Sequence, residues 1–512
     1  MNQLPTSLLN NFNRIIDAIK GIDWFKWCFF LFIALVILKS NFFVTRSPND
    51  FNFGGEWDFM LTAKEYARHG ISHNKLLSYW ATYDDVANTI SLNRYTHYPF
   101  TAYAPYVIAL KFFKTGYSSQ LMWVNLIYFF IFTTFIFYTI KDELSEGNKI
   151  LFALCFCILF YSGYWKAILV SFGIYTVSVM LAPIFIYSIV KNRFWLITLT
   201  FLALCLSMYE AYFCCILFYS VTAWQKKNLK IFFIGLSIPI ISFAFRILSN
   251  YWYYQNWKMV MVDLVGAYGQ RSAECSILQQ QTAENLKNYG AVSTCSFETF
   301  ITHHLDKLKS VINEIPARML DSYGIGTAFF IYALLSIFYK LSSNFNNLQK
   351  LDPIYVFLLT YLIGALIFVI MLPAMALQGW MFFFLMPLTI GGLYLAFKKL
   401  SPLSLQQKIF SIPLFNLLCV VPLLIIFLNR TGFPATLNDK EINLMTSVQI
   451  ACENNNGFIR TNLDFNYFSY ICKDLNFQIK YVAPSPNESQ YISFAKDPNS
   501  LELKPVLLDL SR

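Results

Sequence analysis

Long apolar runs separated by short polar punctuation fill this chain from residue 24 to residue 428. Charge-poor stretches fall at 24–44, 118–140, 150–165, 167–190, 194–209, 211–225, 231–249, 323–339, 353–376, 379–397 and 409–428. A helix that crosses a bilayer needs roughly 20 mostly apolar residues, so the pattern predicts about eleven transmembrane helices. Several are short enough that flanking residues must complete them. The 45 residues from Pro353 to Phe397 carry no charge. Pro373 and the Leu377-Gln378-Gly379 step predict a hairpin there rather than one very long helix. The first stretch, Trp24 to Val44, is followed by many others and reads as a retained anchor rather than a cleaved leader.

Three larger pieces interrupt the spans, at 45–117, 250–322 and 429–512. Within the first, "TAYAPYVIALKFFK" (101–114) is apolar but too short to span. It predicts an interfacial helix with Tyr103 and Tyr106 at headgroup level. The second opens on the aromatic belt "YWYYQNW" and closes on "LDKLKSVINEIPARMLDSYG". There, Leu308, Val311, Ile312, Ile315 and Leu320 predict a helix resting on the membrane. The tail is polar and carries β-like runs at "GFIRTNLDF", "FQIKYVAP" and "QYISFAK", which predicts a small α/β domain. The organisation expected is a transmembrane domain over 1–428 and a C-terminal domain over 429–512. No internal repeat stands out.

Composition and charge fix the setting. Of 512 residues 56% are hydrophobic, 19% aromatic and 13% charged, about half the charged share of a soluble domain (about 25%). The formal net charge of +10 is scattered along span edges, with no basic stripe of the kind that binds nucleic acid. Those edges obey the positive-inside rule. With a cytoplasmic N-terminus, the inside segments hold clusters such as Lys226, Lys227 and Lys230, or Lys398, Lys399 and Lys408. The short outside turns hold only Lys166, Glu210 and Gln378. All three large pieces then lie outside, and the expected localisation is an inner (plasma) membrane of bacterial type. Seven of the 11 cysteines fall within spans. Cys275 with Cys295, and Cys452 with Cys472, fall in outside pieces and are expected to form two local disulfides.

The candidate chemistry starts at "FNFGGEWDFMLTAKEYARHG" (51–70). After Gly55 the apolar residues Phe59, Ala63, Tyr66 and Ala67 follow helical spacing, which puts Glu56 and Asp58 at a helix N-terminus. Acids there cap the helix and complement its dipole, and this structural role alone accounts for one such residue. Further on stands "RYTHYPFTAYAPYVIAL", with Arg94, His97 and Pro99. Together these stretches resemble the GT-C superfamily of polytopic glycosyltransferases, in particular its aminoarabinose transferase and protein mannosyltransferase branch. The resemblance rests on about 60 residues, supported by the many spans and the C-terminal domain. It departs from the family where an adjacent acidic pair is expected, because Gly55-Glu56 stands there. Either Glu56 or Asp58 is then the general base.

The resemblance implies an inverting transfer of a sugar from a polyprenyl-phosphate donor to an extracytoplasmic glycan, lipid or protein acceptor, such as a lipopolysaccharide component. That reaction needs a carboxylate to deprotonate the acceptor hydroxyl and cations to stabilise the departing phosphate. Arg246, inside a span near its outer end, is the foremost candidate. An intramembrane arginine is costly unless it functions or snorkels to the interface. Arg94, Arg318 and Lys166 follow as substrate-binding candidates, with His97 as a further contact. Glu210, alone in its turn, either positions a substrate or is a solvated turn residue. No nucleotide-cradling glycine motif is present and no cofactor is expected. His69 and His73 have metal-ligand spacing, but Gly70 between them is expected to end the helix, so no metal is expected either.

Two other function classes compete. An O-antigen-type polymerase or ligase would depend on arginines of the large outside piece, such as Arg271. A lipid-linked sugar flippase or other transporter would place charges deep in several spans, whereas these spans are nearly free of charge.

Overall fold

A computed structural model of the chain describes residues 56–84, 89–95, 100–113, 122–143, 174–276, 293–323, 326–343, 349–377 and 384–400. It also describes the strand segments 458–460, 478–480, 490–496 and 503–509. The expected spans at 24–44, 150–165 and 409–428 lie outside these residues. The other eight coincide with helices.

The first outside piece opens with α1 (Glu56–Asn74), then a hairpin of β1 (Ser78–Asp84) and β2 (Thr89–Tyr95), a 3-10 turn (Phe100–Ala102) and α2 (Ala104–Phe113). The bundle follows with α3 (Met122–Ile140), α4 (Ile174–Val190), α5 (Phe194–Ser207), α6 (Ala211–Lys226) and α7 (Leu229–Tyr254). The second outside piece holds α8 (Trp257–Ala273), a two-residue parallel pairing of β3 (Cys275–Ser276) with β4 (Ser293–Thr294), and α9 (Phe297–Tyr323). The last described helices are α10 (Thr327–Ser343), α11 (Pro353–Met371), the single turn α12 (Pro373–Ala376) and α13 (Met386–Leu400). Among the described residues, the three helices at Trp123–Glu143, Leu229–Tyr254 and Pro353–Met371 are long and apolar enough to cross a membrane.

The predicted break at Pro373 is present. Beyond it the chain doubles back, so that the Tyr361 hydroxyl donates to the Phe384 carbonyl at 2.9 Å and Gly391 lies against Leu358. Glycines set the closest helix crossings, as expected where lipid gives helices no hydrophobic drive to associate. A Cβ on Gly364 would sit 2.6 Å from the Cys214 backbone nitrogen, and one on Gly392 would overlap the Phe329 carbonyl. Hydroxyls within the helices bond back one turn, as Thr360 does to Val356 and Ser242 to Ile238, both at 2.8 Å. A hydroxyl bonded in this way does not need water.

Within the first larger piece Gly70 breaks the helix as expected: its non-helical backbone (φ 75°, ψ −176°) separates the long helix before it from a last turn that ends at Asn74. Asn74, fully buried, holds the kink by donating its amide to the carbonyls of Glu65 (3.0 Å) and Gly70 (2.9 Å). One expectation changes: Tyr103 and Tyr106 are packed inside the protein and do not present their rings at its surface. Both are buried against Phe59 of α1, with ring centroids 4.2 and 5.0 Å away, and the Tyr106 hydroxyl donates to Asn125 of α3 at 2.7 Å. A tyrosine in a short apolar helix satisfies its hydroxyl as well on a neighbouring amide as on a headgroup.

The tail strands β5 (Phe458–Arg460) and β6 (Gln478–Lys480) fall on two of the predicted runs. They join the first outside piece in one sheet of order β1-β2-β6-β5, with Ile90 of β2 opposite Ile479 of β6. The strands β7 (Gln490–Lys496) and β8 (Leu503–Asp509) form a separate antiparallel hairpin.

Candidate functional site

The turn between α5 and α6 is the centre of the site. Helix α5 stops where Met208 turns extended (φ −157°, ψ 141°), and α6 restarts at once, with Tyr209 and Glu210 in the gap. Tyr209 meets two cations. The guanidinium carbon of Arg246 lies 4.2 Å from the ring centroid and that of Arg271 lies 5.0 Å from it. Such contacts attract by about 0.5–2 kcal/mol each, more when desolvated. Arg246 is 7% exposed and Glu210 1% exposed. Arg246 is therefore packed within the protein rather than snorkelling, and Glu210 is not a solvated turn residue.

The depth of the pair follows from helix geometry. Helix α7 has 26 residues. Arg246 lies 17 residues past Leu229, about 26 Å along the axis at 1.5 Å per residue. That places Arg246 a nearly full hydrocarbon thickness (roughly 30 Å) from the end of α7 that carries Lys226, Lys227 and Lys230. The last two turns of α7 project past it.

Helix α8 returns alongside that projection. The turn is built by Gln255, left-handed at φ 52°, and by Asn256, whose side chain caps α8 by accepting from the Lys258 amide at 2.9 Å. Tyr251 and Trp257 stack across it at 4.3 Å. Below the turn, Asp263 of α8 is fully buried and accepts from Asn250 Nδ2 at 3.1 Å and from the Tyr254 hydroxyl at 3.3 Å. Arg246, Asn250 and Tyr254 are spaced by four along α7, and Asp263 and Arg271 by eight along α8, so each set shares one face. At the far end of α8, Ser272 donates to the Met371 carbonyl at 3.0 Å, which ties it to the helix break before Pro373. Cys275 and Cys295 are bonded to each other, and Lys307 of α9 pairs with Glu274 at 2.5 Å.

The first outside piece is fastened to the same place. Thr101 donates to the Leu206 carbonyl, two residues before the turn gap begins at Met208. Lys75, just past α1, lies 4.8 Å from the Trp252 ring on α7. Glu56 and Asp58 occupy the first turn of α1, and Phe59, which follows them, packs on Tyr103 next to Thr101.

No protein-family model matches this chain, and no curated protein sequence matches it. Solved structures do. One is the archaeal oligosaccharyltransferase AglB from Archaeoglobus fulgidus, in complex with an inhibitory peptide and a dolichol-phosphate. It is similar to this chain with a TM-score of 0.44 at 12% identity, over 88% of this chain and 64% of its own. Another is the Archaeoglobus fulgidus oligosaccharyltransferase in the apo form, with a TM-score of 0.40 at 10% identity over 86% and 63%. This chain thus spans a little under two thirds of the length of either.

The remaining candidates fall in different places. Arg94 stands on β2 opposite Tyr79. Arg318 grips Glu314 on its own helix, with Nη2 2.5 Å and Nε 2.6 Å from the same carboxylate oxygen. His97, Lys166, Cys452 and Cys472 lie outside the described residues. His69 pairs with Glu65 at 3.7 Å and its ring is 4.8 Å from that of His73. Among the described residues, no three His, Cys, Asp or Glu side chains group as metal ligands. The sequence alone does not single out Tyr209, Asn250 or Asp263, and it ranks Arg271 behind Arg94, Arg246 and Arg318 as a phosphate partner. The available signal was polar residues at intervals of four and eight beside an intramembrane arginine.

Proposed function

We propose that this protein is a membrane glycosyltransferase that moves a sugar from a polyprenyl-phosphate donor to an acceptor outside the cytoplasm. The observation that carries the reading is the pair of guanidiniums, Arg246 and Arg271, held against Tyr209 near the outer bilayer boundary. A guanidinium is planar, always charged and forked, which suits it to phosphate oxygens. Its depth matches where the phosphate of a lipid-borne donor would lie. As the glycosidic bond breaks, charge develops on that phosphate, and preorganised cations stabilise it. Glu56 and Asp58, in the first turn of α1, belong to the segment whose Thr101 bonds to the Leu206 carbonyl near the end of α5. One of them, Glu56 or Asp58, would take the acceptor proton. Arg94 and His97, from the same segment, would contact donor or acceptor.

The test is transfer from a panel of polyprenyl-phosphate sugars by the protein in proteoliposomes. Arg246→Ala and Arg271→Ala are expected to weaken donor use, and either Glu56→Gln or Asp58→Asn to lower the rate of transfer by about 100-fold or more, the usual scale of general acid–base catalysis. Full activity in both carboxylate variants and their double variant removes the base assignment. The position of Arg271 also favours a second reading, the polymerase or ligase class. That reading gains if Arg271→Ala abolishes activity while the double carboxylate variant retains it.

A further inference from the structure

We infer that Asn250 and Asp263 form a latch between α7 and α8 that sets Arg271 beside Tyr209, which makes Asp263 a positioning residue for the arginine pair. Asp263 is fully buried and accepts from two side chains of α7, Asn250 and Tyr254. Its carboxylate therefore fixes both the distance and the register of the two helices. Asn250 is committed in return, because its Nδ2 goes to Asp263. Arg271 lies two turns further along α8, about 12 Å, and Arg246 one turn back along α7, about 6 Å. The two helices run in opposite directions from the turn at Gln255, so both offsets lead towards Tyr209.

Rotation makes the latch decisive. A slip of α8 by one residue turns it by about 100° and would carry Arg271 off the tyrosine. Apolar contact alone resists such a slip weakly, because it is non-directional. A buried carboxylate that accepts from two α7 side chains resists it strongly, because a slip breaks both bonds at once. The Ser272 bond to Met371 and the disulfide at Cys275 hold the far end of α8. The latch holds the near end, and Arg271 is placed between them.

The inference rests on the proposed function only for the ligand, so its test has two readouts. Spin labels at the exposed positions Leu248 on α7 and Met261 on α8 report helix register in nanodiscs, and binding of polyprenyl monophosphate reports the arginine pair. Asp263→Asn is expected to broaden the label distance distribution and to weaken binding about tenfold, the scale of a lost buried charged hydrogen bond. Asn250→Asp places two carboxylates together and is expected to do the same. The exchanged double variant, Asn250→Asp with Asp263→Asn, restores the pair and is expected to recover both readouts. Tyr254→Phe, a milder change, is expected to weaken binding a few-fold in the parent and not at all in the Asp263→Asn background. Unchanged register and binding in Asp263→Asn overturns the latch, as does full additivity of Tyr254→Phe. If the parent protein binds no polyprenyl monophosphate, the ligand assignment fails, and the label distances alone decide the latch.

Discussion

Tyr209 is where single side chains matter most. It donates nothing to Arg246 or Arg271 through its ring, yet its face is what both cations share. Tyr209→Phe keeps that face and is expected to bind polyprenyl monophosphate within about twofold of the parent, since cation–π attraction resides in the ring. Tyr209→Leu keeps bulk and removes the face. Losing two contacts of about 0.5–2 kcal/mol each is expected to weaken binding by about tenfold or more, measured by titration in nanodiscs. Equal behaviour of the two variants would show that Tyr209 only fills space. The sequence made Arg246 conspicuous because a charge inside an apolar run is rare. Tyr209 was invisible there, because tyrosines are common in this chain and nothing local marks the one that two arginines reach from other helices. The contacts of Asp263 are hidden for the same reason: Asn250 and Tyr254 are 13 and 9 residues away, across a turn whose geometry the aromatic belt does not reveal.

At the scale of elements, apolar run length located the helices well, and it located their ends less well. Helix α7 continues five residues past the expected edge at 249, because Asn250 and Tyr254 find partners on α8 and so need neither lipid nor water. The kink in α1 shows the complementary case, in which Gly70 signals an end but Asn74 ties the chain back and lets the helix resume. Crossing points separate the two kinds of glycine. Gly364→Val has no room, since even a Cβ would meet the Cys214 backbone at 2.6 Å. It is expected to lower the midpoint of thermal unfolding in detergent markedly, an overpacking cost of about 1–3 kcal/mol or more. Gly70→Ala has open space but a left-handed backbone angle, so it is expected to cost only about 1 kcal/mol. A larger loss at Gly70 than at Gly364 would reverse the assignment of which helix contact is tight.

For the whole molecule, the side of the membrane that the site faces decides which donors can reach it. Charge bias along the sequence predicts a cytoplasmic N-terminus. Along α7, Lys226, Lys227 and Lys230 mark one end, and Arg246 and the turn into α8 lie towards the other. A disulfide such as Cys275–Cys295 persists in an oxidising compartment, so the same orientation is expected for the piece that follows α7. Lys226→Cys and Lys258→Cys mark the two ends at exposed positions. In intact cells an impermeant maleimide is expected to label the cysteine at 258 and to spare the one at 226 until the membrane is opened. The reverse pattern would put the arginine pair on the cytoplasmic side, where nucleotide-linked donors are at hand. The lipid-phosphate reading would then lose its main advantage. Labelling at both positions in intact cells would mean that α7 does not cross the bilayer. The depth of Arg246 would then no longer bear on the choice of donor.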